Sequence, residues 1–255
     1  MTYLQFHLVF ILPPILVLGW GLRKTFPALG RRAPVALPLI MLVAFVYTTP
    51  WDNYLVFREV WGYPPERVVA TVGYVPVEEY LFFLLQPWLV GMFFYRLLVR
   101  LPEGAEPVTS PLALRITGAA PWFLLGAVGF SLLRWESGTY LGLILAWAAP
   151  VVGLQWLYMG PAIWRLRRAV LPAIALPTLY LWVADRIAIG QGIWFISERY
   201  TLGWNPAGLP MEEATFFLVT NILVVFGTVL FLGPGLPHLR TGAGGPATEA
   251  LAGRT

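Results

Sequence analysis

Seven apolar runs, at residues 3–22, 34–51, 76–98, 112–133, 138–160, 170–192 and 210–232, dominate this chain of 255 residues. An α-helix rises 1.5 Å per residue, so about 20 apolar residues cross a hydrocarbon core roughly 30 Å thick. No water is available there to bond the main chain, and a helix satisfies its N–H and C=O groups internally. The fold class expected is therefore all-α, a polytopic membrane protein of about seven transmembrane helices. The composition agrees, at 58% hydrophobic and 12% charged residues, with 12 Trp.

The charges follow a topological pattern. Twelve of the 17 Lys and Arg lie in or beside the loops after the first, third and fifth runs and in the tail, which marks that side as cytoplasmic and the N-terminus as outside. The net charge of +4 is thus spread in short clusters between apolar runs, and no basic face for nucleic acid emerges. Ten of the 13 acids fall near the opposite, non-cytoplasmic ends, where any chemistry is expected. Residues 233–255 are rich in Gly, Pro, Ala and Thr and are expected to be a disordered cytoplasmic tail.

An internal repeat organises the rest. One copy reads Tyr47-Thr48-Thr49-Pro50-Trp51-Asp52, then Glu66-Arg67, then Pro76-Val77-Glu78-Glu79, followed by Phe82-Phe83. The second reads Tyr180-Leu181-Trp182-Val183-Ala184-Asp185, then Glu198-Arg199, then Pro210-Met211-Glu212-Glu213, followed by Phe216-Phe217. The interval from Asp to the second Glu is 27 residues in one copy and 28 in the other. The expected organisation is a three-helix repeat at 1–98, a linker and linking helix at 99–137, and a second repeat at 138–232. The unmatched fourth helix restores direction, so the copies are parallel and both Glu pairs face one leaflet.

Acids near membrane depth are costly and tend to mark function. Proline suits a first helical turn and acids favour the positive end of the helix dipole, so Glu78, Glu79, Glu212 and Glu213 also read as ordinary caps, paired with Arg67 or Arg199. Adjacent residues diverge by about 100° on a helix, so the two acids of a pair should divide roles, with Glu79 and Glu213 above the Phe pairs. Asp52 and Asp185 are expected to end or interrupt the second helix of each copy, close enough to orient a Glu. Trp51, Phe82, Phe83, Gln86, Trp182, Phe216, Phe217 and Asn221 are the candidate substrate-binding residues, with aromatic faces able to stabilise a transient cation.

Other chemistries lack their residues. There is no Cys for thiolate chemistry, and the one Lys, Lys24, lies in a loop, which removes a retinal Schiff base on the seventh helix. The two His cannot build a His-rich metal site, and His7 reads as an interfacial residue. The two Asp stand too far apart in sequence for a paired-Asp site for Mg²⁺-diphosphate, and no dinucleotide fingerprint is present. What remains is acid–base chemistry without a cofactor or metal, on an apolar substrate entering from the bilayer.

The duplicated Pro-x-Glu-Glu, the upstream Asp and the seven-run length resemble the membrane-integral lycopene cyclases of actinobacteria, haloarchaea and fungi, in their fused form and to about Leu232. The resemblance implies cyclisation of lycopene through γ-carotene to β-carotene, an isomerase step of carotenoid biosynthesis in the cell membrane. Partners implied are the lipophilic carotenoid and membrane lipid, with room for association with other carotenoid enzymes. In such a reaction a Glu kept protonated by its apolar surroundings protonates the ψ end, and a base takes a ring proton from the resulting carbocation. Glu79 and Glu213 are the expected acid and base, with Glu78, Glu212, Asp52 and Asp185 as catalytic partners. A cyclase for C50 carotenoids or ε rings, and a proton-coupled transporter, are the alternative readings.

Overall fold

A computed structural model describes residues 1–101, 112–233 and 236. Apart from Gly233 and Leu236, the expected tail lies outside the described residues. The chain is all-α, and six helices are long and apolar enough to cross a membrane. Helix α1 (Tyr3–Gly19) and the short α2 (Leu22–Leu29) form a pair bent by 49°, a seventh span if the pair is counted as one. A single π turn at His7–Ile11 precedes Pro13 and Pro14 within α1. Prolines cannot donate to the preceding turn, and the helix yields there.

The remaining spans are α3 (Ala33–Phe57), α4 (Val77–Leu98), α5 (Leu112–Leu132), α6 (Thr139–Arg165), α7 (Arg167–Gly190) and α8 (Met211–Leu232). Helices α4 and α8 form the centre, packed against one another and against α3 and α7, with α1 beside α4 and α6 beside α8. Helix α5 lies along α6 at the edge, where glycines let the backbones approach. A Cβ on Gly129 would stand 2.6 Å from the Ala146 nitrogen, and one on Gly142 would stand 2.9 Å from the Gly129 oxygen.

Extended segments join the tops of the two central helices. Strand β1 (Trp61–Gly62) is antiparallel to β4 (Phe195–Ile196), while β2 (Thr71–Val72) pairs with β3 (Val75–Pro76) just before α4. Ser197 N–H donates to the Val60 carbonyl at 2.9 Å, which extends the first pairing by one bond. Loop 58–76 and loop 191–210 are thereby tied across the end of the bundle.

Asp52 and Asp185 do not end their helices. Both lie inside α3 and α7 and are 1% exposed, because α3 continues past Pro50 to Phe57 and α7 continues to Gly190. His7 is not interfacial but 2% exposed, with Nε2–H donating to the Glu78 carbonyl at 2.8 Å and its ring stacked on Phe82.

Candidate active site

Both central helices begin in the same way. Pro76 and Pro210 hold extended backbone at the N-cap, and each Glu pair follows in the first turn. The 100° step between neighbours then separates the two acids. Glu78 turns outward to its own loop, where Oε1 accepts from Val69 N–H at 2.8 Å, and Glu212 does the same with Leu202 N–H at 2.7 Å. Glu79 and Glu213 turn inward.

The inward acids are held by tyrosine hydroxyls. Tyr3, at the start of α1, and Tyr63, from the loop after β1, both donate to Glu79 Oε2, the latter at 2.9 Å. Tyr140, at the start of α6, donates to Glu213 Oε1 at 2.5 Å. Tyr63 lies outside the spans, and burial followed by the neighbouring Glu79 carboxylate pushes its hydroxyl well above the usual tyrosine range, so it remains a donor. Asp185 accepts from Trp194 Nε1–H at 2.9 Å. Asp52 lies within electrostatic range of Glu79 and Glu213, and both its oxygens lack a hydrogen-bond partner.

Among the described residues none of these six acids is ion-paired. Arg67 donates to the Met1 carbonyl and Arg199 pairs with Glu136, so neither serves the Glu pairs as a capping partner; Arg186 donates to the Ala207 carbonyl rather than to Asp185.

Glu79, Glu213 and Asp185 line a chamber of about 40 Å³, walled by Tyr3, Phe6, Trp61, Tyr63, Phe82, Trp194, Ile196, Phe216 and Phe217. Its roof comes from the paired loops and its walls from the helices. Asp52, Glu78 and Glu212 are buried beside this chamber without lining it. On α7, Ala184 precedes Asp185, whereas on α3 the residue before Asp52 is Trp51.

A second cavity of about 160 Å³ begins where the chamber ends, and Phe82 and Phe216 wall both. It is almost wholly apolar and runs down α8 from Phe216 to Phe231, about 22 Å at the helical rise. Exposed Val43, Tyr47 and Phe231 mark its opening between α3, α6 and α8. At its head Trp51 is stacked between Trp147 and Phe216, with ring centroids 4.6 and 5.8 Å away. Such π faces attract a cation.

The other candidate residues fall as follows. Phe83 and Gln86 line this groove and Phe217 lines the chamber. Trp182 lines neither, since its Nε1–H donates to the Ala214 carbonyl and fixes α7 to α8. Asn221 lies between α4 and α7, bonded to Gln86 and Thr178.

Sequence reasoning missed Tyr3, Tyr63 and Tyr140. A signal for two of them exists: Thr2-Tyr3-Leu4 and Thr139-Tyr140-Leu141 repeat at the start of the first helix of each copy. Trp61 and Trp194 likewise each stand nine residues after the repeated Asp. Tyr63 has no polar counterpart, because Ile196 takes its place in the second copy.

Fold and site together define a polytopic all-α membrane protein in which a small carboxyl chamber heads an apolar groove. The chain is 40% identical over 231 residues to the lycopene beta-cyclase of Halobacterium salinarum, covering 90% of this chain and 95% of that protein. It is 35% identical over 239 residues to the bifunctional lycopene cyclase/phytoene synthase of Podospora anserina, covering 82% of this chain and 39% of the relative. The corresponding Blakeslea trispora protein is 36% identical over 249 residues, 89% of this chain and 38% of the relative. No protein-family model and no solved structure matches the chain. The chain belongs to the lycopene beta-cyclase family.

Proposed function

We propose that this protein cyclises the two acyclic ends of lycopene, giving γ-carotene and then β-carotene, by acid–base catalysis without a cofactor. The observation that carries the proposal is the convergence of Glu79, Glu213 and Asp185 in a small, aromatic-walled chamber at the head of a long apolar groove. The polyene lies in the groove and its end group displaces Phe82 and Phe216 to reach the acids.

One of Glu79 and Glu213 transfers its proton to the terminal double bond, leaving a carboxylate and a tertiary cation. The internal double bond supplies the electron pair that closes the six-membered ring and moves the positive charge onto a ring carbon. A carboxylate of the chamber removes a ring proton, restoring a double bond, so one proton enters and one leaves with no redox change. Trp147 and Phe216, which line the groove with Trp51 stacked between them, face the charge as it forms, and the tyrosines keep the acids aimed.

The two copies, 1–98 and 138–232, act as parallel three-helix repeats around one chamber, joined by residues 99–137. Two exchanged bonds support that reading: Tyr47 donates to the Trp147 carbonyl at 3.0 Å and its counterpart Tyr180 to the Phe10 carbonyl at 2.7 Å. The Arg-rich ends lie in the cytoplasm, with the chamber and N-terminus toward the outer face of the cell membrane and lipid around the groove. The fungal relatives' bifunctional names favour association with other carotenoid enzymes.

The test is pigment analysis of a lycopene-accumulating bacterium expressing the chain. Wild type should yield the two-ringed carotene, and Glu79→Gln or Glu213→Gln at equal membrane abundance should leave lycopene. Unchanged lycopene with well-folded wild type overturns the proposal.

A further inference from the structure

The repeat predicts two grooves, and the molecule has both. A second groove, also of about 160 Å³, is lined by Pro14, Leu18, Leu89, Phe93, Leu176, Pro177 and Tyr180. Aligning the copies on Tyr3 with Tyr140, Asp52 with Asp185 and Glu79 with Glu213 sets these seven against Val151, Gln155, Leu223, Gly227, Val43, Ala44 and Tyr47. Every one of those counterparts lines the first groove. The two grooves differ at their heads. The first shares Phe82 and Phe216 with the acid chamber, whereas the second shares no wall with it.

The difference has identifiable causes. Gln86 Nε2–H, on the wall of the first groove, donates to Asn221 Oδ1 at 2.5 Å and Asn221 Nδ2–H donates to Thr178 Oγ1 at 2.8 Å, a buried clasp that ties α4, α8 and α7 together next to Pro177 of the second groove. Its counterpart in the other copy would need Thr220, Pro87 and Phe45, of which the last two have no polar side-chain atom. Leu181, 1% exposed, stands where the open side has Thr48. Lower down, Phe93 occupies the position of Gly227, where even a Cβ would meet Ile40 Cδ1 at 2.8 Å.

We infer that the protein has a single substrate passage, the groove through Gly227, and that a two-ended linear polyene is therefore cyclised one end at a time, with the one-ringed product leaving the groove and turning before the second ring forms. Asn221 is the positioning residue that closes the other route. The inference rests on the cyclase reading and adds to it the order of events and the path.

The experiment uses the full chain in liposomes supplied with lycopene. Gly227→Leu and Ala44→Phe narrow the first groove from two different helices, and each should lower the initial rate of ring formation by about tenfold or more, as expected for overpacking a fitted apolar passage. Leu176→Phe, in the closed groove, should leave the rate within about twofold. In a wild-type pulse of deuterated lycopene chased with excess unlabelled lycopene, labelled one-ringed carotene should appear in the lipid and be delayed in reaching the two-ringed form. Loss of activity in Leu176→Phe with retention in both first-groove variants would overturn the inference, as would labelled two-ringed product that never passes through a free one-ringed pool. A wild type that forms no ring overturns the cyclase reading itself, a result distinct from either.

Discussion

Tyr3 and Tyr140 stand at the same place in the two copies, each at the beginning of a first helix and each donating its hydroxyl to the inward glutamate of that copy's third helix, Glu79 and Glu213. The contact joins residues far apart in sequence and places a donor on each inward carboxyl.

Replacing either hydroxyl should therefore damage turnover more than folding. Tyr3→Phe and Tyr140→Phe each remove a hydrogen bond to an ionisable partner, an interaction worth roughly 1.5–3 kcal/mol, or about ten- to a hundredfold if it is made in the transition state. Because Tyr63 also donates to Glu79, Tyr140→Phe should be the more damaging of the two. Initial rates of ring formation at matched protein amounts check the ranking.

The outward glutamates should behave differently. Glu78 and Glu212 accept backbone N–H groups from the loops that roof the chamber. Glu78→Ala or Glu212→Ala removes a part-buried hydrogen bond to a loop amide, at a cost of about 0.5–1.5 kcal/mol. A lowered thermal midpoint in detergent, with faster proteolysis of the loops and residual ring formation, is the expected pattern.

Tyr63 yields a pH prediction. Its hydroxyl is pushed up from the ordinary value of 10.0 by burial and by Glu79, so the unfolded chain loses this proton at a lower pH than the folded one. Its contribution to stability is complete below about pH 10 and declines as pH rises from there toward the folded value. Thermal unfolding from pH 7 to 11 should show a steeper alkaline loss in wild type than in Tyr63→Phe, with parallel curves below pH 9.

The exposed Arg199–Glu136 pair supplies a contrast. At 66% and 57% side-chain exposure it is screened by water and salt, and Arg199→Ala should leave both the thermal midpoint and ring formation unchanged. The ion pair's short length is a poor guide to its worth.

Much of the architecture was legible in the linear pattern. Runs long enough to cross hydrocarbon must be helical there because no other solvent satisfies their main chain, and each of the six continuous spans coincides with one of the runs, although α3 and α6 continue six and five residues past the ends expected of them. The repeat of Asp and Pro-x-Glu-Glu was equally visible, as was the need for each glutamate pair to divide, since adjacent side chains on a helix cannot share a direction. The pattern put Glu79 and Glu213 on the face of the Phe pairs, but that this face is the one turned to the chamber was decided in three dimensions, because the rotation of a helix about its axis is set by the neighbours it packs against. For the same reason Tyr3, Tyr140, Tyr63 and Trp194 joined the site only when α1, α6 and the paired loops closed over it. The inequality of the two grooves is likewise tertiary: Asn221 reads in sequence as a candidate substrate-binding residue, and it becomes a clasp because α4 and α7 bring Gln86 and Thr178 within hydrogen-bonding distance.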